Sequence, residues 1–382
     1  MEISSHYYAL LALCRTCGIN KETSHKIAYA SQFVDDAKIN CLSGDDGFKI
    51  ENIATCHSYS KIRTFNYEAM ILNTVSFHFP PGCEGEHFAD KLVCKENSEV
   101  INEIVKQSVD VGSESAEGKP EVFGMLMHIY ADTFAHQGFS GLLSKVNDIE
   151  HLDDSGILIH QDGWKSVIPF WWGRMIRGLK KLKAEPDFDD FMPAYGHGQA
   201  GHCPDIPYLK WSYEYSHDRC EADVNSKVLH IDNIQRFKRA FESIQTYLEK
   251  YLERNPDFKD PDFNSIHKEK ALIKFFEILK AKETTSSKIK SWQNFMVNNN
   301  FYNKSEDKEI LEYDELLWIK ELIYDYDEST DIHKDRKVSN VKLLEGYINS
   351  SWVNYVVGVK WYKQMLMDSC KPRGLDIDAK HY

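Results

Sequence analysis

The chain has 382 residues, enough for one large or two modest domains with a sizeable core. Hydrophobic residues make up 42% and charged residues 27%, an ordinary globular mix, and a net charge of −13 gives no general pull towards nucleic acid. No apolar run reaches the roughly 18 residues of a membrane span, so no transmembrane helix is expected.

Nine cysteines are an odd number without the dense, even spacing of a disulfide scaffold, and no leader-like segment opens the chain. The expected compartment is the cytoplasm; the other reading is a secreted effector exported without a leader. Sixteen histidines are many, and most precede residue 231.

Residues 5–17 predict a helix capped near Ser4 or Ser5, with His6 in its first turn and Gly18 ending it. Cys14 and Cys17 form a lone C-x-x-C on its apolar stretch, read as core thiols because no second pair exists. Residues 21–37 predict a second helix, with Ile27, Ala30, Phe33 and Val34 at helical spacing. It finishes in Asp35-Asp36, an acidic pair that opposes the macrodipole. That pair either opens a solvated loop or serves a ligand. Residues 40–118 read as irregular, with a turn at 43–47 and room for short strands. His57 follows Thr55-Cys56, and His78 lies in a run read as extended and stopped by Pro80-Pro81.

The stretch 120–141, PEVFGMLMHIYADTFAHQGFSG, reads as one buried helix with Pro120 at its first position. Gly138 and Gly141 stand where it should stop. His128, Asp132 and His136 fall four residues apart and share one face. Two imidazoles and a carboxylate on a buried face need something charged opposite. A metal is the simplest candidate; a hydrogen-bond ladder without metal is the plain alternative. His128 and His136 are about 12 Å apart along the axis, too far for one ion, so Asp132 would bridge two.

Residues 168–183 predict an amphipathic helix and the basic island of the chain, with Arg174, Arg177 and Lys181 following Phe170, Trp171 and Trp172. It suits a peripheral membrane contact or a phosphate, or more plainly a packed helix whose lysines face water. The glycine-punctuated stretch 193–205 carries His197, His202 and Asp205. His217-Asp218 follows, with Asp223 beyond it. A clear amphipathic helix covers 234–252, and further helices are expected near 265–281, 286–298, 307–325 and 338–368. The fold class expected is mainly α. A metal-binding helical catalytic domain over 1–255 carries a helical C-terminal region, 256–382, packed on it.

The candidate ligands in order are His6, Asp35 or Asp36, His57 or His78, His128, Asp132, His136, His197 or His202, and Asp205. Imidazoles and carboxylates without cysteine suit zinc, manganese or iron in a hydrolytic site. The set exceeds the needs of one ion, which implies two or three.

This ordering resembles the superfamily of zinc-dependent phospholipases C and single-strand-specific nucleases. Its pattern is an early histidine, an aspartate ending a second helix, a lone histidine, then H-x-x-x-D with a further histidine, and a final histidine with a carboxylate. HYYAL, AYASQFVDDA, FHFPPG, HIYADTFAHQGFSG and YGHGQAGHCPD also resemble a group of uncharacterised bacterial proteins. The resemblance covers roughly residues 5–255 and implies a helical bundle of the phospholipase C type with long irregular loops. It implies one zinc held by Asp35, His57 or His78, His128 and Asp132, and a neighbouring one held by His6 and Asp132. A third would be held by His136, His197 and Asp205. In that superfamily an N-terminal tryptophan also supplies its amino group and side chain; here the chain starts Met-Glu, with His6 well inside.

The expected activity is hydrolysis of a phosphodiester, on a phospholipid or small phosphoester, with Asp35 or Asp36 orienting the water as base. A single-strand nuclease is the near alternative. An HD-type phosphohydrolase built on His217-Asp218 is another, and a helical effector or binding module with structural metal is the last.

Overall fold

The computed structural model describes residues 1–56, 67–151, 194–215, 228–263, 268–324, 326 and 337–377. Helix α1 begins as a wide π turn, Ser4–Ala9, and continues as α-helix over Leu10–Thr16. HYYALLALC has no continuous polar face, and every residue of α1 is buried. Helix α2, Lys21–Asp36, starts where the Asn20 side chain accepts the Thr23 N–H at 2.9 Å. Helix α3 runs through Tyr67–Ala69, a second π segment Met70–Val75, and Ser76–His78. Helix α4, Glu99–Val111, is capped by Ser98.

Helix α5, Pro120–Ala135, is buried along its whole length. An apolar helix with no wet face belongs at the centre of a bundle, and α5 lies against α2, α4, α6 (Asn233–Arg254) and α9 (Ser351–Cys370). Two small residues set its approach. A Cβ on Gly124 would stand 2.2 Å from the Ile27 carbonyl oxygen of α2, and one on Gly358 of α9 would stand 2.5 Å from Val122. On the other side Phe123 stacks on Tyr251 of α6, with centroids 4.1 Å apart. Helices α7, Lys268–Lys280, and α8, Thr285–Asn298, close the bundle beside α1 and α6.

Two small sheets flank the helices. One has the order β2-β1-β6, with β1 (Cys41–Gly44) antiparallel to β2 (Lys49–Glu51) and parallel to β6 (Lys337–Val341). The other is antiparallel, β3-β4-β5, from Ile149–His151, Lys210–Tyr215 and Val228–Asp232. A satellite core of Phe79, Phe139, Trp211 and Tyr213 lies under the second sheet. The main core is continuous across residue 255: Tyr29 of α2 meets Trp318 at 4.4 Å, and Phe33 meets Tyr355 of α9 at 5.1 Å.

The mainly α class is what the described residues show, with several boundaries corrected. The central helix stops at Ala135 rather than near Gly141, because His136 leaves helical geometry and Gly138 takes φ +91°. The segment before Pro80 is helical at Ser76–His78, not extended. The helix expected over 307–325 is two short turns, Lys308–Leu311 and Leu317–Lys320. The one expected over 338–368 is β6 followed by α9. The basic stretch 168–183 lies outside the described residues. Among the described residues no helix is long and apolar enough to cross a membrane.

Candidate metal centre

Eight side chains from separated stretches converge where α1, α2, α3 and α5 meet. The π turn of α1 supplies His6, and the last turn of α2 supplies Asp35. The end of α3 supplies His78, and α5 supplies His128, Asp132 and its C-cap His136. His197 and Asp205 come from 3-10 turns at Gly198–Ala200 and Cys203–Asp205, which the glycines and Pro204 punctuate. Two of the helices that deliver histidine carry π segments, an irregularity that recurs at functional sites.

Asp132 is the centre. Its Oδ1 lies 3.2 Å from His6 Nε2 and 2.8 Å from the Met1 α-amino nitrogen. Its Oδ2 lies 3.3 Å from His128 Nε2, 3.5 Å from His136 Nδ1 and 3.6 Å from His78 Nδ1. Asp205 forms a second focus, with Oδ1 3.1 Å from His136 Nε2 and Oδ2 3.8 Å from His197 Nε2. Asp35 Oδ1 is 3.7 Å from His78 Nδ1 and 3.9 Å from His128 Nε2. Three groups have ligand atoms close enough to hold a metal ion: His6, Asp35 and His128; His78, His128 and Asp132; His136, His197 and Asp205.

The protonation pattern tests whether cations fit. A carbonyl oxygen only accepts, so any ring nitrogen bonded to one carries the hydrogen. His78 Nε2–H donates to Thr55 O at 3.0 Å, His136 Nδ1–H to His78 O at 2.7 Å, and His197 Nδ1–H to Gly201 O at 2.8 Å. In the neutral ring the opposite nitrogen is then a lone pair, and in each case it faces carboxylate oxygen. At His136 and His197 lone pair then stands against lone pair, which repels unless a positive charge lies between; His78 Nδ1 also has His128 Nε2 at 3.4 Å, within hydrogen-bond reach. His6 Nε2, His128 Nδ1 and Asp132 Oδ2 are buried and make no hydrogen bond of good geometry. Imidazoles fixed from behind by main-chain carbonyls and aimed at shared carboxylates are how metal-binding histidines are held. The donor set fits divalent cations.

The electrostatics agree. Burial favours the neutral form of Asp132, yet His136, the Met1 amine, His128 and His6 together hold it well below the usual carboxylate range. Asp205 is depressed in the same way, burial being outweighed by His197, the Met1 amine and His136. Burial drives His6, His78 and His128 down, and His197 to about 4, which favours neutral ligand-type rings. Asp35 is pushed up to about 7 by burial, against the pull of His78 and the Met1 amine. Burial would lower the Met1 amine, but Asp132, Asp205 and Asp35 raise it to about 11. Without metal that ammonium balances part of the negative charge.

Of the paired candidates, Asp35 and not Asp36 enters the cluster. Asp36 accepts from Tyr313 Oη at 2.8 Å and Gln32 Nε2 at 3.2 Å and belongs to none of the three groups. His197 is inside, whereas His202 is 54% exposed, its Nδ1 4.0 Å from Asp205, and belongs to none of the three groups. His78 is inside; His57 lies outside the described residues, as do His217, Asp218 and Asp223. The Met1 amine, 2.8 Å from Asp132 Oδ1, carries no residue-specific signal in a sequence. The orienting carbonyls of Thr55, His78 and Gly201 are equally silent in a sequence.

No curated protein and no solved structure gives a significant match to this chain. A family model does match residues 1–370, nearly the whole length, and by it the chain belongs to the family of unknown function DUF6765.

Proposed function

We propose that this protein is a metal-dependent hydrolase of phosphodiesters, built on a scaffold of the zinc-dependent phospholipase C and single-strand nuclease type. The observation that carries the reading is the set of inward imidazole nitrogens, on His78, His136 and His197, each facing a carboxylate while the opposite ring nitrogen bonds a main-chain carbonyl. Ligands for two or three ions would be His6, Asp35, His78, His128, Asp132, His136, His197 and Asp205, with zinc the first choice for imidazole and carboxylate donors. Bound ions would supply an acidified water and positive charge for the anionic oxygens of a phosphoester.

The protein's own groups do the rest. Asp132 keeps the two halves of the cluster in register through both of its oxygens. Asp35, with a quarter of its side chain exposed, is the carboxylate best placed to accept a proton from a water arriving from solvent. A net charge of −13 favours a phospholipid or small phosphoester over long nucleic acid. A cluster that only fastens the fold is the second reading, favoured by the burial of His128 at 0% and Asp132 at 1%.

Elemental analysis of protein purified without chelator tests the metal, with about two or three equivalents of zinc expected. Less than one equivalent of zinc, manganese and iron together would overturn the proposal. A chromogenic phosphodiester and a phosphocholine ester then test turnover. His128→Ala and Asp132→Ala are expected to lose more than the roughly 10–100-fold that losing an outer-shell partner costs. Metal without turnover of either ester, and unfolding on its removal, would favour the structural reading.

A further inference from the structure

Away from the cluster, two thiols far apart in the chain meet. Cys83 lies in the turn after Pro81, where Gly82 N–H donates to Val93 O at 2.9 Å and Cys83 N–H donates to Lys91 O at 3.0 Å. Its backbone takes φ +56°, a left-handed conformation uncommon for a residue with a side chain. Cys370 is the last residue of α9 and is fully buried, whereas Cys83 is half-buried. Their sulfurs share a hydrogen bond at 3.5 Å across 287 residues of chain. The same two segments are fastened beside them by Lys91 Nζ, which donates to Arg373 O at 2.7 Å.

We propose that Cys83 and Cys370 form a redox site, which a low-molecular-weight disulfide such as oxidised glutathione converts from a dithiol to an intramolecular disulfide. The geometry sets the order of events. Cys83 is the sulfur that solvent reaches, and Cys370 is the one behind it. The Cys83 thiolate attacks one sulfur of the small disulfide and expels one thiol, leaving a mixed disulfide on Cys83. Cys370 then attacks Cys83 Sγ, the mixed disulfide breaks, and the Cys370 proton passes to the departing thiolate, which leaves as the second thiol. Two protein thiols are oxidised and one small disulfide is reduced to two thiols, with no other reactant. The charges suit this order. The hydrogen bond shared with Cys370 lowers the Cys83 pKa against partial burial, helped by Arg373 and Lys91. The same bond and burial raise that of Cys370. The attacking thiol is thus the less buried one, and the resolving thiol is protected from direct oxidation.

The cross-link would tie the segment that begins five residues after His78 to the end of α9. It leaves the proposed metal ligands untouched, so it stands or falls apart from the hydrolase reading.

The test uses the full chain. After incubation with oxidised glutathione the free-thiol count is expected to fall from nine to seven, with dithiothreitol restoring nine. Peptide mapping by mass spectrometry is expected to find Cys83 linked to Cys370. Cys370→Ser should stop halfway, with one glutathione held on Cys83, and Cys83→Ser should keep all its remaining thiols. The proposal fails if the wild-type chain keeps nine thiols, or if the linked peptides join any other pair. The wild-type map decides the matter even where a variant does not fold.

Discussion

Lys363 of α9 carries its ammonium into the interior, where Nζ donates to Asn52 O at 2.9 Å and Ala54 O at 3.5 Å, above the Phe77 ring at 5.4 Å. Burial, with a smaller push from Lys360, lowers its pKa from 10.5 to about 7. Between those values the unfolded chain holds a proton that the folded chain lacks, so this group makes stability rise with pH across that window. Below about pH 7 both states are protonated and the full penalty, on the order of 5 kcal/mol, remains. Lys363→Met keeps the stem and removes the charge. Its stability relative to wild type, measured by urea unfolding, should therefore shrink by roughly 2–3 kcal/mol between about pH 7 and pH 9.5. A difference that stays flat with pH would show that the ammonium is not desolvated. The contrast with the metal cluster shows what a sequence makes legible at this scale. His128, Asp132 and His136 stand out because their spacing puts three polar groups on one face of an apolar helix. Lys363 sits among mixed neighbours and gives no such signal. Asp35 and Asp36 both lie in the last turn of α2 and point about 100° apart, so choosing between them takes knowing which face of α2 meets α5. Choosing His197 over His202 takes the local turns that aim each side chain, and outside a helix the sequence carries no such phase.

Among the elements, α2 and α5 matter most, since they bring Asp35 to His128 and Asp132. Their contact depends on Gly124, where a Cβ would stand 2.2 Å from Ile27 O and 2.9 Å from the Ala30 Cβ. Neither neighbour is the end of a flexible side chain, so the helices would have to separate. Gly124→Ala gains roughly 1 kcal/mol of helix propensity and loses about 1–3 kcal/mol to overpacking. A net loss of stability is expected in denaturant titration, together with lower metal content on elemental analysis, because Asp35 moves away from α5. A variant as stable as wild type, with full metal, would show that the interface gives way freely. The strongly patterned helices are legible: α2, α5 and α6 follow from the spacing of Ile27, Ala30, Phe33 and Val34, from Pro120 and from an apolar stripe. The C-terminal stretches are less so. Lys337–Val341 pairs with β1 from almost 300 residues away, and a long-range strand partner overrides a weak local preference for helix. Helix α9 is buried on several sides, so it lacks the single stripe that marks an element's ends.

At the scale of the molecule the question is whether residues beyond 255 are an extension or part of the same core. Trp292, Trp352, Tyr355 and Tyr362 are among its largest fully buried side chains. The two tyrosines reach the first part of the chain: Tyr355 Oη meets Thr55 Oγ1 at 2.9 Å, and Tyr362 Oη donates to Ser76 O at 2.6 Å. Those contacts support the residues on either side of the cluster, since Thr55 O orients His78 and Ser76 lies on the same turn as His78. Deleting a buried aromatic costs about 3–5 kcal/mol, so the two tyrosines together represent roughly 6–10 kcal/mol. A domain's whole stability is about 5–15 kcal/mol. A fragment of residues 1–255 is therefore expected to lack near-ultraviolet circular dichroism and a cooperative unfolding transition. It should also retain less than about a tenth of the metal of the full chain, because ligands on α2, α3 and α5 lose the wall that fixes their distances. The two properties separate the alternatives. A fragment that unfolds cooperatively and keeps its metal would make 256–382 a true appendage, and the core contacts across residue 255 would then be an interface between two bodies.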